Sequence, residues 1–216
     1  MKRMKNWIFL MAAVIVFAGT FVYAQENTEQ RLQKIQGSAN NEYVRLYNEG
    51  SREDKLLALR ILAKSGSKDD EVIDLFLLGL QEGTFFVKRK AGRVTNDFWD
   101  VRATSAKALG EIGDPRALDH LHRALIHDPD PIVRSCVATA LGKMGNPKSI
   151  FYLSRAIRNC GTNGSPNEIV VISCVEAIGE IGHKDGFLPL IKVMKGRYRK
   201  DIRAAASEAI NKLHWD

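Results

Sequence analysis

The feature that most constrains this fold is a sequence motif that returns about every 32 residues. Its first clear copy reads VRATSAKALGEIG, and later copies keep the same pattern of apolar, small and glycine positions. The leading residues of the copies are 32, 37 and 32 positions apart: Val101, Val133, Val170 and Ile202. A fixed period of this length is typical of proteins built from stacked structural repeats. The motif therefore predicts a repeat architecture.

Each repeat is predicted to contain two helices. Apolar residues fall 0, 7, 8 and 11 positions after the leading residue, which is the spacing of one helix face. A glycine follows this stretch in three copies, at Gly113, Gly145 and Gly182, where a helix end favours a left-handed residue. The pairs Asp114-Pro115 and Asn146-Pro147 come next and predict the N-cap and first turn of a second helix.

Neither helix of such a pair can bury its apolar face alone, so stacked units must share a continuous core. The predicted fold is an all-α solenoid with helix pairs over 51–81, 98–128, 131–160 and 167–196, closed by a capping helix. Strand is expected only in one insertion. Four aliphatic residues should be buried at equivalent places: Leu109, Leu141, Ile178 and Ile210.

The copies at 101–115 and 133–147 show the run Val-Arg, then Ala-Leu-Gly-x-Ile/Met-Gly, then Asp/Asn-Pro. This run resembles the HEAT-repeat family, in particular the short bacterial repeats related to those of phycobilisome lyases. The resemblance covers about residues 51–216 and implies a right-handed superhelical stack of about four helix pairs. It implies little about activity, because one fold hosts unrelated functions.

Three arginines recur at one repeat position: Arg102, Arg134 and Arg203. In proteins that resemble this family, such arginines tie neighbouring repeats together through acids, and the resemblance implies that role here. The expected acids are residues such as Asp100, Asp130 and Asp201. The alternative is an anion-binding stripe.

The first 24 residues have the layout of a secretory signal peptide. Lys2, Arg3 and Lys5 precede an apolar stretch, and cleavage is predicted after Ala24. The alternative is an uncleaved anchor formed by residues 7–24, which are just enough to cross a bilayer. Either interpretation places the body outside the cytoplasm, in the periplasm or beyond. Residues 25–50 are predicted to form a linker that includes a helical segment packed on the first repeat.

The net charge of +7 overstates how basic the body is, because three of the 32 basic residues precede the first acidic one. Beyond residue 24 the balance is only +4, so nucleic acid is a poor fit as a partner. The chain has three cysteines, Cys136, Cys160 and Cys174, and an odd number leaves at least one free or paired between chains. They are interpreted as small buried helix residues.

No catalytic residue, metal site or cofactor is predicted. Resemblance to deoxyhypusine hydroxylase, a HEAT-repeat enzyme, would imply paired His-Glu iron motifs. None of the five histidines here is followed by glutamate: His120, His122, His127, His183 and His214. Bilin lyases act on phycobiliproteins that an exported chain would not meet. Ser154 and Ser173 lie in helical repeats without a neighbouring base.

An insertion of about 15 residues, Gly83–Asp97, interrupts the period and is the first candidate for partner binding. The candidate residues combine an aromatic ring with four cations: Phe86, Lys88, Arg89, Lys90 and Arg93. The alternation around Ala91-Gly92 is compatible with a short hairpin. The alternative is a solvated basic loop whose phenylalanines cover the adjacent repeat.

A second candidate is a row of cations, Arg123, Arg155 and Lys192, at one position of successive second helices. We call this row the cation ladder. In structures of this class, second helices are expected to line the concave face. The basic segment Lys195–Lys200 is a third candidate, for an acidic partner or anionic lipid. For both features the alternative is ordinary solvated charge.

From its sequence, the chain is interpreted as an exported, non-enzymatic scaffold that binds another protein through concave helices and the basic insertion. The alternative is an envelope-associated protein, held to a membrane or anionic polymer by an uncleaved N-terminal segment and basic loops.

Overall fold

The structure is a computed structural model of the 216-residue chain and describes residues 37, 40–160 and 167–215. The chain divides into two compact units, residues 1–43 and 44–216. In the first unit, residues 37 and 40–43 are helical. The predicted signal peptide lies outside the described residues. All elements named below belong to the second unit.

The second unit is a succession of helices with one small hairpin, and the predicted helix pairs are confirmed. It begins with a short helical stretch, α1, over residues 44–49. The first two pairs are α2 Arg52–Ser65 with α3 Asp70–Leu80, and α4 Trp99–Ile112 with α5 Ala117–His127. Then come α6 Pro131–Met144, α7 Ser149–Asn159, α8 Glu168–Ile181, α9 Phe187–Lys195 and the capping helix α10 Lys200–Asn211. The strands β1 Arg89–Lys90 and β2 Arg93–Val94 lie between α3 and α4.

In the described part of the chain, no helix is both long enough and apolar enough to span a membrane.

Helix ends follow the motif, with one correction. Gly113 and Gly145 adopt left-handed backbone, with φ of 72° and 64°, and end α4 and α6. Asp130 caps α6, because its side chain accepts from the backbone N–H of Ile132 at 2.7 Å. Asp114, by contrast, accepts from the N–H of Arg116 at 2.8 Å, and α5 begins only at Ala117. The predicted caps of α5 and α7 are therefore turn residues that lie before each helix.

The shared core is confirmed at the repeat-related aliphatic positions. Leu109, Leu141 and Ile178 have no exposed surface, whereas Ile210 is only half-buried. Ile210 lies on α10, which packs on α8 and α9. Among the described residues, the core is thus continuous from one repeat to the next and thins at the capping helix.

Two helix layers differ in how closely they pack. We call α4, α6, α8 and α10 the first-helix layer, and α3, α5, α7 and α9 the second-helix layer. In the first-helix layer a Cβ on Gly110 would lie 2.6 Å from the Cα of Ala140, and one on Gly179 would lie 2.9 Å from the Cα of Ala209. In the second-helix layer α7 and α9 hardly approach each other and leave a cleft.

Arg123, Arg155 and Lys192, which form the cation ladder, lie on α5, α7 and α9 of the second-helix layer. The expectation that this layer lines the concave face stays a prediction.

The start of the solenoid is closed by α1. Tyr47 is fully buried, as predicted for a segment that packs on the first repeat, while Val44 is half-buried. Asp54, which replaces the leading aliphatic residue of the motif, forms a capping box with Ser51 at the N-terminus of α2. At this position the first copy of the motif therefore has a helix-capping residue in place of an apolar one.

Candidate functional site

The insertion forms a β-hairpin, as its sequence suggested. Arg89 pairs with Val94 and Lys90 with Arg93 in antiparallel register. The two turn residues, Ala91 and Gly92, both have positive φ, 49° and 79°. This is the conformation of the tight turns that match the twist of a two-stranded hairpin. We call residues 88–95 the basic hairpin.

The aromatic and cationic side chains of the insertion face solvent. Phe85 and Phe86 are 43% and 40% exposed, so they do not simply cover the adjacent repeat. Lys88, Arg89, Lys90 and Arg93 are all exposed. Lys90 and Arg93 lie directly opposite each other, and like charges at paired positions destabilise a strand pair. The basic hairpin therefore depends for its order on contacts at its base.

Those contacts centre on Asn96, which is almost completely buried. Its side-chain amide donates to the carbonyl of Phe86 at 2.8 Å and to the carboxylate of Glu82 at 3.1 Å. Its side-chain oxygen accepts from the N–H of Lys88 at 2.7 Å. Gly83 completes the base, because a Cβ there would lie 2.5 Å from the carbonyl oxygen of Asn96. One buried amide thus joins both ends of the insertion.

Glu82 connects this base to the first repeat. Its fully buried carboxylate accepts from the Tyr47 hydroxyl at 2.9 Å and from the Lys55 ammonium at 3.4 Å. The ammonium also lies 4.1 Å from the centroid of the Tyr47 ring. Burial lowers the pKa of Lys55, which the charge of Glu82 partly offsets. Burial and the nearby carboxylate both raise the pKa of Tyr47.

Arg102 is the third member of the base and is 1% exposed. Its guanidinium donates to the carbonyl of Glu82 at 2.9 Å, to Asp97 at 2.7 Å and to Asp128 at 2.8 Å. Burial raises the pKa of Asp128, against the opposing effect of the arginine. Arg102 therefore ties the insertion to the loop that follows α5.

The acids expected to hold the repeat arginines have other partners. Asp100 accepts from Arg52, Asp130 caps α6, and Asp201 pairs with Arg199. Arg134 donates to the side chain of Asn167 at 2.6 Å, which links α6 to the start of the next repeat. Arg203 is exposed on the capping helix. Burial and partners thus differ among three arginines at the same motif position.

The basic hairpin and the cation ladder meet at Phe85. The guanidinium carbon of Arg123 lies 4.4 Å from the centroid of the Phe85 ring, which is cation–π geometry. The side chain of Gln81 also contacts His120 on α5 at 3.4 Å. Arg155 and Lys192, the other ladder residues, are exposed on α7 and α9, and neither helix contains an acidic residue. We call the basic hairpin, Phe85, Phe86 and the cation ladder together the basic face.

The segment 195–200 is divided between two roles. Arg199 pairs with Glu168 at 3.1 Å and with Asp201, so it joins α8 to α10. Tyr198 lines a cleft together with Lys192 of α9. The predicted basic segment is therefore part of the solenoid surface as well as a charged turn.

One buried pair, His122 and Ser149, was not apparent from the sequence. The Nε2 atom of His122 lies 3.0 Å from the Ser149 hydroxyl, and Tyr152 stacks on the imidazole at 4.0 Å between centroids. Burial lowers the pKa of His122, although Asp119 nearby opposes the shift. The Ser149 hydroxyl is fully buried, so a substrate does not reach it. The pair joins α5 to α7 and is structural.

The three cysteines are buried, and burial raises the pKa of each thiol. A raised pKa disfavours the thiolate, which is the reactive form. Among the described residues, no three His, Cys, Asp or Glu side chains come together in a way that could hold a metal ion.

Comparison with known proteins agrees with this architecture. The family model for HEAT repeats matches residues 91–162. Among solved structures, the chain is similar to the complex of CpcE and CpcF of phycocyanin lyase from Nostoc sp. PCC7120, with a TM-score of 0.64 and 19% sequence identity. That match covers 81% of this chain and 64% of the other chain, and at this identity it demonstrates a shared fold. No curated protein matches the chain. Residues 91–162 thus match the HEAT-repeat model, and the body of this protein has the fold of a HEAT-like α-solenoid.

Proposed function

We propose that this protein is an exported, non-enzymatic HEAT-repeat scaffold that binds another protein through the basic face. The observation that carries the proposal is the contact between Arg123 and Phe85, which joins the insertion to the second-helix layer. Through this contact the hairpin and the cation ladder are available to one partner. HEAT-like solenoids offer extended surfaces for binding, which suits this arrangement.

The composition and order of the basic face support a binding role. Aromatic side chains beside arginine and lysine are the residue types from which binding hot spots are often built. Phe86 lies 5.6 Å from the Lys88 ammonium and remains 40% exposed, so it is held but accessible. The buried Asn96 and Glu82 fix the base of the hairpin, and a pre-ordered loop loses less entropy when a partner binds.

Export is supported by the sequence of residues 1–24, with its basic start and its apolar stretch before Ala24. The non-enzymatic part of the proposal is supported by the lack of His-Glu pairs in the sequence and by the burial of Ser149. Because the similar structure is a phycocyanin lyase complex, lyase activity is the enzymatic alternative. Incubation with apo-phycocyanin and a free bilin should yield no more covalent adduct than the same mixture without this protein.

Association with a membrane surface is a second candidate, favoured by the exposed apolar residues of the hairpin. Phe86, Val87 and Val94 are each about 40% exposed beside four cations. Apolar side chains among lysine and arginine can enter the headgroup region of an anionic bilayer. In this case the partner of the basic face would be lipid.

One experiment separates these candidates. The purified protein would be crosslinked in the envelope fraction of its host, alongside a variant in which residues 89–94 are replaced by Asn-Gly. The proposal predicts a discrete protein adduct that the variant loses at least in large part. If the wild type yields no protein adduct but sediments with phosphatidylglycerol vesicles, the membrane candidate replaces it.

A further inference from the structure

A cleft separate from the basic hairpin opens between α7 and α9. It consists of two adjoining pockets, of about 100 and about 390 Å³, that share Ser154, Arg158 and Pro189. The smaller pocket reaches Lys192 and Tyr198, and the larger one reaches Phe151. We call this the α7–α9 cleft. It exists because α7 and α9 hardly approach each other, unlike the closely packed helices of the first-helix layer.

The floor of the cleft carries a polar group whose hydrogen-bonding capacity is unused. Ser154 is 8% exposed, and its hydroxyl oxygen makes no hydrogen bond with any residue that the structure describes. A buried hydroxyl without a partner costs free energy. The oxygen itself is closed off from solvent in this conformation, so it can donate to a ligand in the cleft only after the serine side chain turns towards that ligand.

Positive charge converges on the same place. Arg158 extends from α7 and Lys192 from α9, and both are exposed. Within the described residues, neither forms an ion pair with an acid. The larger pocket contains Lys148 and one acid, Asp185, which lies 3.3 Å from His183. The cleft therefore has an excess of positive charge on its walls.

Its remaining surface is apolar. Phe151 is 62% exposed and lines the larger pocket, and Pro189 lines both pockets. Ile157 and Val193 line the smaller pocket beside the Tyr198 ring. Apolar walls with a few convergent polar groups are typical of sites that bind a defined ligand.

We propose that the α7–α9 cleft binds an acidic segment of a partner protein. A Glu or Asp carboxylate of that segment lies between Arg158 and Lys192, with the Ser154 hydroxyl as a further donor. A neighbouring apolar side chain of the same segment packs on Phe151 and Pro189. This inference rests on the proposed function, because it assigns part of the partner's contact to a site outside the basic hairpin.

A peptide fits these features better than a nucleic acid does. Nucleic-acid grooves carry a row of cations that follows a backbone of many phosphates. Here two cations converge on one small pocket, and Phe151 and Pro189 offer an apolar surface next to it. An alternation of acidic and apolar side chains matches this pattern over a few residues.

The test is an NMR titration of the ¹⁵N-labelled protein with the peptide acetyl-Gly-Phe-Glu-Leu-Glu-Gly-amide. We expect shifts concentrated at Ser154, Arg158 and Tyr198, and no binding of the matched peptide with glutamine in place of glutamate. Arg158→Glu should weaken binding at least about tenfold, because it converts an attraction into a repulsion. Lys107→Glu is the control, since it makes the same charge change on α4, and it should bind like the wild type.

Ser154→Ala should fold like the wild type, because it removes only the hydroxyl. It should lower the affinity for the peptide about fivefold. Equal binding of the glutamine peptide, or shifts at the basic hairpin alone, would overturn the inference. So would displacement of the peptide from the cleft by the oligonucleotide dT10. If the hairpin variant loses envelope capture and Arg158→Glu keeps it, the cleft proposal is rejected and the proposed function stands. If Arg158→Glu loses envelope capture and the hairpin variant keeps it, the proposed function of the hairpin is rejected and the cleft remains as the binding site.

Discussion

The guanidinium of Arg123 lies over the ring of Phe85, with 4.4 Å between its Cζ atom and the ring centroid. The two residues are far apart in the sequence and belong to different features, a repeat helix and an insertion that breaks the repeat. Their contact makes the insertion part of the second-helix layer and not a loop that projects alone. The insertion and the first residue of the cation ladder therefore lie side by side on one surface.

The basic hairpin should be removable without loss of the fold. The N–H of Thr95 donates to the carbonyl of Lys88 at 3.0 Å, so a two-residue Asn-Gly turn can replace residues 89–94. We expect the free energy of unfolding to change by less than about 0.5 kcal/mol, while partner capture falls about tenfold, as expected when several hot-spot contacts are lost. Urea denaturation and quantitative capture would measure the two effects.

The matched control for that replacement is Asn96→Ala, which keeps the hairpin but removes its anchor. It should lower the free energy of unfolding by about 2–3 kcal/mol, because it leaves buried groups without partners. Excision of all of residues 84–96 removes Asn96 as well and should destabilise the protein in the same way. If Asn96→Ala has no effect on stability, the buried base is not what orders the hairpin.

Arg102 and Arg203 occupy the same motif position and should behave oppositely. Arg102→Ala leaves the buried Asp128 carboxylate unpaired, so we expect a loss of about 3–5 kcal/mol. Arg203→Ala removes an exposed side chain and should change stability by no more than about 0.5 kcal/mol. Chemical denaturation of both variants tests this. Similar losses at both positions would show that the motif arginine has one role throughout.

Gly110→Ala should destabilise the protein although alanine favours helices. In an isolated helix the change would gain about 1 kcal/mol. Here the new Cβ would lie 2.6 Å from the Cα of Ala140, so α4 and α6 must separate. We expect a net loss of about 1–3 kcal/mol in the free energy of unfolding. Lys107→Ala, on the exposed side of α4, serves as the control, and a gain in stability from Gly110→Ala would contradict the close packing of this layer.

Stability should fall as the pH drops below about 6.5, in part because of His122. Burial lowers the pKa of His122 in the folded state, so the unfolded chain binds a proton at a pH where the folded chain does not. One such proton lowers stability by at most about 1.4 kcal/mol per pH unit. His122→Asn should reduce this slope. Urea denaturation at pH 7.5, 6.5 and 5.5 measures the slopes.

The helices could be predicted from the sequence because their signals are local. The spacing of apolar residues and the glycine at Gly113 and its equivalents depend on neighbours within one or two turns. The sequence was compatible with a hairpin, and equally with a loop, because the turn at Ala91-Gly92 needs only its own residues.

The contacts that order the site could not be predicted, because they join distant positions. Nothing local in the sequence pairs Glu82 with Tyr47 and Asn96, and Arg102 reaches Asp97 and Asp128 instead of the adjacent Asp100. The α7–α9 cleft is likewise a consequence of helix spacing. Spacing depends on the small residues of the first-helix layer, which lie on other helices.

The most direct test of the basic face is site-specific photocrosslinking in the host envelope. The photoreactive residue p-benzoylphenylalanine would replace Phe86 on the hairpin, Arg155 on α7 or, as a control, Thr139 in the first-helix layer, all of which are exposed. We predict that positions 86 and 155 crosslink to the same protein and that position 139 does not. A protein crosslinked from position 139 alone, with none from 86 or 155, would contradict the account.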